Sequence, residues 1–233
     1  MNIKELYKLY CQHYLVDTDT RKIRSNTLYF ALKGENFNGN AFAKEALKKG
    51  ASYSIVDEKE YVTSSKIILV DAVLSTLQEL ASLHRTTLNI PIIGLTGSNG
   101  KTTTKELINA VLSTQYKTTA TIGNLNNHIG VPLTLLSMTP STEIGIVEMG
   151  ANHPKEIDLL CSIAKPDFGY ITNFGKAHLE GFGSLEGVIA AKSELYTYLK
   201  ATQKTVLVNT DDKIQVLKTS EMKTVFFDAS MKL

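Results

Sequence analysis

The spacing of apolar positions changes along the chain, and the changes mark out strands alternating with helices. Short apolar and β-branched runs at residues 27–32, 52–56 and 67–70 predict strands. Between the first two, Ala43, Ala46 and Leu47 recur at helical spacing before a stop at Gly50. Val73, Leu74, Leu77, Leu80, Ala81 and Leu83 trace one face of a longer helix. Beyond it, strand patterns at 90–95, 117–121, 144–149, 168–172 and 205–208 are interleaved with helix patterns at 101–113, 154–164 and 185–199. Such alternation predicts an α/β fold with a mostly parallel sheet covered by helices on both faces. The pattern shifts near residues 84 to 90. We therefore expect a small α/β domain over 1–86 and a doubly wound domain over 87–233 whose ligands gather at the carboxyl ends of its strands.

Composition narrows the function classes. A hydrophobic share of 43% in 233 residues is enough for a real core. With 25 basic and 23 acidic residues the net charge is +2, which leaves no electrostatic footprint for nucleic acid or an anionic membrane. Local chemistry must then carry any anion binding. The apolar runs fall far short of the roughly 20 residues that span a bilayer. The opening MNIKELYKLY is too polar for a secretory signal, so a cytoplasmic protein without membrane insertion is expected. Cys11 and Cys161 have no metal-ligand spacing and read as free buried thiols.

The chemistry-bearing stretch is GLTGSNGKTTTKE, residues 94–106, which follows an apolar strand and opens a helix. Glycines let a backbone approach a polyphosphate closely, and amides at a helix start point at its oxygens. Gly97, Ser98, Asn99, Gly100, Lys101, Thr102 and Thr103 form this phosphate loop, with Lys101 as the mobile cation and the Thr102 hydroxyl as a Mg²⁺ ligand. The spacing departs from G-x-x-x-x-G-K-[ST], because Leu95 stands where the first glycine belongs and glycines fall at 94 and 97 instead. At the end of the 144–149 strand, Glu148 is a candidate metal ligand; Mg²⁺ favours a few carboxylate or hydroxyl oxygens together with phosphate. His178 lies in a glycine-rich loop after the next strand, and Lys192 on the helix that follows. Taken alone, Glu148 reads equally as a solvated strand-end carboxylate, a single loop histidine such as His178 is usually only a surface residue, and Lys192 reads as a solvated helix lysine. The amide-rich GNLNN segment, with Asn124, Asn126 and Asn127, would by itself be a turn.

Together these segments resemble the Mur ligases, amide-forming enzymes of bacterial cell-wall precursor synthesis. The G-x-x-G-x-x-G-K-T-T spacing is similar to their ATP loop and to that of their folylpolyglutamate synthetase relatives. The strings DTRK and ALKGENFNGNAF resemble the nucleotide-sugar domain that the synthetases lack, and GNLNNHIGVPLTLL resembles the D-alanyl-D-alanine-adding branch. The resemblance implies an ATP-dependent ligase that joins D-alanyl-D-alanine to UDP-MurNAc-tripeptide through an acyl phosphate. It implies Lys101, His178 and Lys192 as catalytic residues. Thr102, Glu148, His178 and a carbamylated Lys192 would sit around two Mg²⁺ ions, and Thr20, Arg21, Lys33, Gly34, Asn36, Asn126 and Asn127 would contact the substrate. A monomer is expected, in which the central domain is incomplete and the family's third domain absent. Two other readings stay open: a ligase of the branch that adds a diamino acid, and a non-catalytic module that holds UDP-sugar or ATP.

Overall fold

The computed structural model describes residues 1–175, 179–228 and 230. The chain opens with helix α1 (Ile3–Tyr10), capped reciprocally by Asn2, whose side chain accepts from Glu5 N while its own N–H donates to the Glu5 carboxylate. There follow strands β1 (Val16–Asp17) and β2 (Leu28–Phe30), an antiparallel hairpin of β3 (Lys33–Gly34) and β4 (Phe37–Asn38), helix α2 (Ala43–Lys48), and strands β5 (Tyr53–Val56) and β6 (Ile67–Leu69). Among the described residues, these form a four-stranded parallel sheet in the order β1-β2-β5-β6. Period-two alternation sorts β2 between two cores: Leu28 and Phe30 join the main core with Leu6, Tyr10 and Leu77, while Tyr29 and Ala31 join Ala43 and Ala46 of α2.

Helix α3 (Val73–Leu88) outruns the apolar pattern, which ends at Leu83. Polar contacts bury His84 and Arg85 near its end instead. Nε2 of His84 meets the Met138 carbonyl at 2.9 Å, and Arg85 donates to the carbonyls of Ala164 and Lys165 and to Asp167. The helix stops at Asn89 in a left-handed conformation.

The larger unit runs through β7 (Ile92–Thr96), α4 (Lys101–Leu112), β8 (Thr118–Ala120), α5 (Gly130–Leu135), β9 (Ile144–Glu148), α6 (Glu156–Ala164) and β10 (Phe168–Ile171). It continues with α7 (Leu179–Phe182), α8 (Leu185–Lys192), α9 (Glu194–Ala201), β11 (Thr205–Asn209), α10 (Lys213–Lys218) and β12 (Lys223–Phe227). Its strands make a six-stranded sheet among the described residues, ordered β12-β11-β10-β7-β9-β8 and parallel throughout. The connection through α4 leads toward the β8 edge, and that through α6 returns past β7 to β10. Right-handed crossovers in opposite directions place these helices on opposite faces. One apolar core runs continuously from Tyr10 and Leu77 into Leu135, Leu160 and Leu199.

The helix expected over 185–199 is two helices that break at Ser193. The Ser193 hydroxyl donates back to the Ile189 carbonyl, and the break aims the Glu194 carboxylate at the amides of Lys155 and Asp158, at the start of α6. No helix among the described residues is long and apolar enough to cross a membrane.

Candidate active site

Strand β7 is flanked by β10 and β9, and the glycine loop leaves its carboxyl end. Gly97 has φ +140°, and a Cβ there would collide with Thr172. Gly100 has φ +74° and opens α4 with no side-chain cap, which leaves the first amides of a 12-residue helix for an anion. The segment after β10 clamps the loop. Ser98 N donates to the Asn173 carbonyl and Ser98 Oγ to that of Gly175, while Asn99 N donates to Asn173 Oδ1. The hydroxyl of Thr172 and the amide of Asn173 both donate to the Asn99 carbonyl. Sequence reasoning missed Thr172 and Asn173. The TNFG turn after a predicted strand was the available signal, but nothing in it indicates that it holds a neighbouring loop.

Lys101 folds back over the loop, with Nζ 2.9 Å from the Gly97 carbonyl and 3.3 Å from that of Ser98. Burial pulls its pKa below the usual lysine value, and the Glu148 charge acts in the opposite sense. Glu148 is 1% exposed at the end of β9. Its N–H donates to Thr121 Oγ1 and its Oε1 accepts from Asn126 Nδ2 at 2.7 Å, while Oε2 is buried with no hydrogen-bond partner. The hydroxyl of Thr96, at the end of β7, is likewise buried and unpartnered. Among the described residues no group of three His, Cys, Asp or Glu could hold a metal. A lone carboxylate with a free oxygen, the hydroxyl of Thr102 in the first turn of α4, and phosphate oxygens would be a donor set suited to Mg²⁺.

Lys192 is 1% exposed. Its Nζ donates to the Ala151 carbonyl just beyond β9 and lies 5.3 Å from the Phe182 ring centroid. Burial, reinforced by the Lys101 charge, lowers its pKa to about 8, against a weaker pull from Glu156 and Glu194. A solvated helix lysine would show none of this. His178 lies outside the described residues.

A cleft of 380 Å³ beside Lys101 is lined by Asn124, Asn126, Asn127, His128, Asn152 and Glu156, among others. Asn127 also caps α5, its Oδ1 accepting from Ile129 N and Gly130 N. A second cleft, of 540 Å³, lies between the two units, where Asp17, Asp19, Lys22 and Arg24 face Ile122 and Leu125. The loop that carries GNLNN thus borders both. Thr20, Arg21, Lys33, Gly34 and Asn36 line neither cleft. Thr20 is buried, Arg21 forks onto Asp19, and Lys33 at the start of the β3–β4 hairpin pairs with Asp57 and Glu58.

A parallel sheet with a glycine loop leaving an inner strand is the architecture of phosphate-loop nucleotide-binding domains. The sequence pattern of the Mur ligase middle domain matches residues 95–232, and a second pattern, described as the catalytic domain of the Mur ligase family, matches 13–93. The chain belongs to the Mur ligase family. It is 43% identical over 211 residues to the UDP-N-acetylmuramoyl-tripeptide--D-alanyl-D-alanine ligase of Bacillus subtilis, an alignment covering 90% of this chain and 46% of that protein. Its fold is similar to that of MurF from Acinetobacter baumannii, with a TM-score of 0.81 at 33% identity over 91% of this chain and 47% of that one. The Thermotoga maritima MurF ligase in complex with ADP gives a TM-score of 0.82 at 33% identity, over 93% and 51% of the two chains. The chain spans about half the length of the curated relatives it matches.

Proposed function

We propose that this protein acts as an ATP-dependent amide ligase joining D-alanyl-D-alanine to UDP-MurNAc-tripeptide, in cytoplasmic peptidoglycan precursor synthesis and as a monomer. The observation that carries the reading is the convergence of Lys101, the free oxygen of Glu148 and the depressed Lys192 at adjoining strand ends, in a chain 43% identical to a ligase of that name. Residues 1–86 would hold the UDP-sugar, through the segments containing Thr20, Arg21, Lys33, Gly34 and Asn36, and residues 87–233 the ATP.

A carboxylate is a poor electrophile. In this reading the tripeptide carboxylate takes the terminal phosphoryl group of ATP, with release of ADP. The dipeptide amine then displaces phosphate from the acyl phosphate and loses its proton. No protein nucleophile is needed, so positioning and charge neutralisation supply the catalysis. Lys101 and the loop amides hold phosphate oxygens. Thr102 and Glu148 would hold Mg²⁺, which when bound neutralises charge on the phosphates. Lys192, as a neutral amine, would add CO₂ and release a proton to become an anionic carbamate; with His178 it would serve a second ion. Asn126 and Asn127, on the loop bordering both clefts, would meet the peptide.

The test is phosphate release by the 233-residue chain given ATP, Mg²⁺, bicarbonate, UDP-MurNAc-tripeptide and D-alanyl-D-alanine, beside Lys101→Ala. Release that needs both peptide substrates and Lys101 supports the ligase. Retained UDP-tripeptide binding without release supports a substrate-holding module instead.

A further inference from the structure

Lys105 lies one helical turn beyond Lys101 on α4, and it is wholly buried. Its Nζ donates to the Thr121 carbonyl at 2.6 Å and pairs with Glu106 at 2.7 Å. An apolar side chain of similar volume would fill the same space without the desolvation of a charge, so packing alone does not account for a lysine there.

Thr121 is where the chain leaves β8 for the amide-rich loop. Its hydroxyl accepts from Glu148 N. Five residues on, Asn126 Nδ2 donates to Glu148 Oε1, and the Asn126 carbonyl accepts from Gly150 N at 2.7 Å. Thr121 N also donates to the Ile146 carbonyl, so the 121–126 segment grips the end of β9 and the residues just beyond it at four points. Lys105 is the side chain that fastens this segment to the helix bearing Lys101 and Thr102.

We infer that Lys105 is a positioning residue that couples the phosphate-loop helix to the orientation of the Glu148 carboxylate. The consequence for Mg²⁺ rests on the functional reading above, whereas the mechanical link does not. A phosphate group that moves α4 would move the Thr121 carbonyl with it, and through the segment behind that carbonyl the free oxygen of Glu148.

Amide hydrogen exchange on the ligand-free chain tests the link, with Lys105→Met, which keeps the volume and removes the donor. Exchange at Glu148 and Gly150 should quicken about tenfold or more, as expected for loss of a hydrogen bond from a charged group, while Leu95 and Ile146 keep wild-type rates. Uniform quickening across the sheet, unchanged exchange at Glu148 and Gly150, or failure of the variant to fold would overturn the inference, since each marks a residue that only packs. Binding of a fluorescent ADP analogue supplies the functional readout. Lys105→Met should raise the Mg²⁺ needed for half-maximal enhancement about tenfold, with metal-free affinity within about twofold, and Thr121→Val should do the same. A wild-type chain that binds no ADP analogue would count against the phosphate-loop reading, and the exchange pattern would still decide the link.

Discussion

Asn126 holds Glu148 by one carboxylate oxygen only, through a 2.7 Å bond to Oε1, and leaves Oε2 buried without a partner. The arrangement fixes the carboxylate plane while keeping one oxygen for something else. It also depends on Gly150, where an added Cβ would come within 3.0 Å of the Asn126 amide.

Because a buried carboxylate oxygen without a hydrogen-bond partner is costly, Glu148→Gln, which removes the charge and keeps the acceptor for Asn126, should stabilise the ligand-free chain while removing Mg²⁺-dependent nucleotide binding. We expect a gain of about 1 kcal/mol, raising the melting temperature by about 2–4 °C. Calorimetry beside a Mg²⁺ titration of ADP binding checks both signs. A variant less stable than wild type would show that Glu148 is structurally satisfied.

The two loop glycines should differ on substitution. Gly97→Ala meets both a positive φ and the Thr172 side chain, whereas Gly100→Ala meets positive φ with open space around it. Denaturant midpoints should place the cost at about 1 kcal/mol for Gly100→Ala and at about 3 kcal/mol or more for Gly97→Ala. Equal costs would mean that the Thr172 contact relaxes freely.

Lys192 should react with CO₂ near neutral pH. With a pKa of about 8, roughly a quarter of it is neutral at pH 7.5, against about one part in a thousand for an ordinary lysine. A ¹³C carbamate signal from labelled bicarbonate should appear in wild type and vanish in Lys192→Met. In bicarbonate-free buffer the sign of the stability effect follows. The unfolded chain holds this proton up to about pH 10.4, the folded chain only to about 8. The penalty of a buried ammonium is therefore fully present below pH 8 and is relieved as pH rises through that window. The difference in stability between wild type and Lys192→Met should narrow across it.

Arg85→Met should cost about 2–4 kcal/mol in chemical denaturation. Arg85 is 7% exposed, and its loss strands the buried carbonyl of Ala164 and the half-buried one of Lys165 and leaves Oδ2 of Asp167 with only Ile92 N. A loss below 1 kcal/mol would show that water enters the joint and replaces the guanidinium.

Eight of the twelve strands among the described residues and most of the helices were legible because their burial follows a short period: Leu28 to Ala31 alternate between two cores, and Leu77, Leu80 and Ala81 fall on one stripe. Strands β1, β3 and β4 are two residues long and too short to show one. Helix α1 escaped because its pattern lies in Leu6 and Tyr10, within a run of lysines and tyrosines. Strand β12 escaped because Val225 and Phe226 are both exposed, so no alternation marks it. In the site, Lys101 and Glu148 were readable from local context at strand ends. The clamp by Thr172 and Asn173 and the grip of Asn126 on Glu148 join residues more than twenty positions apart, which local spacing cannot reveal.

The joint between the two units is made asymmetrically. Tyr10, Gln78, His84 and Arg85 contribute specific side chains, and across the joint they find the main-chain carbonyls of Leu136, His128, Met138, Ala164 and Lys165. Every residue type offers a carbonyl. The hydrogen bonds at those positions therefore set no residue type in the second half, although Leu136, Met138 and Ala164 are also buried in the core. Asp167, which pairs with Arg85, and Lys165, whose Nζ donates to Thr86 Oγ1, serve the joint by their side chains. Chimaeras between relatives should fit when the four donors come with the first half and Asp167 and Lys165 with the second.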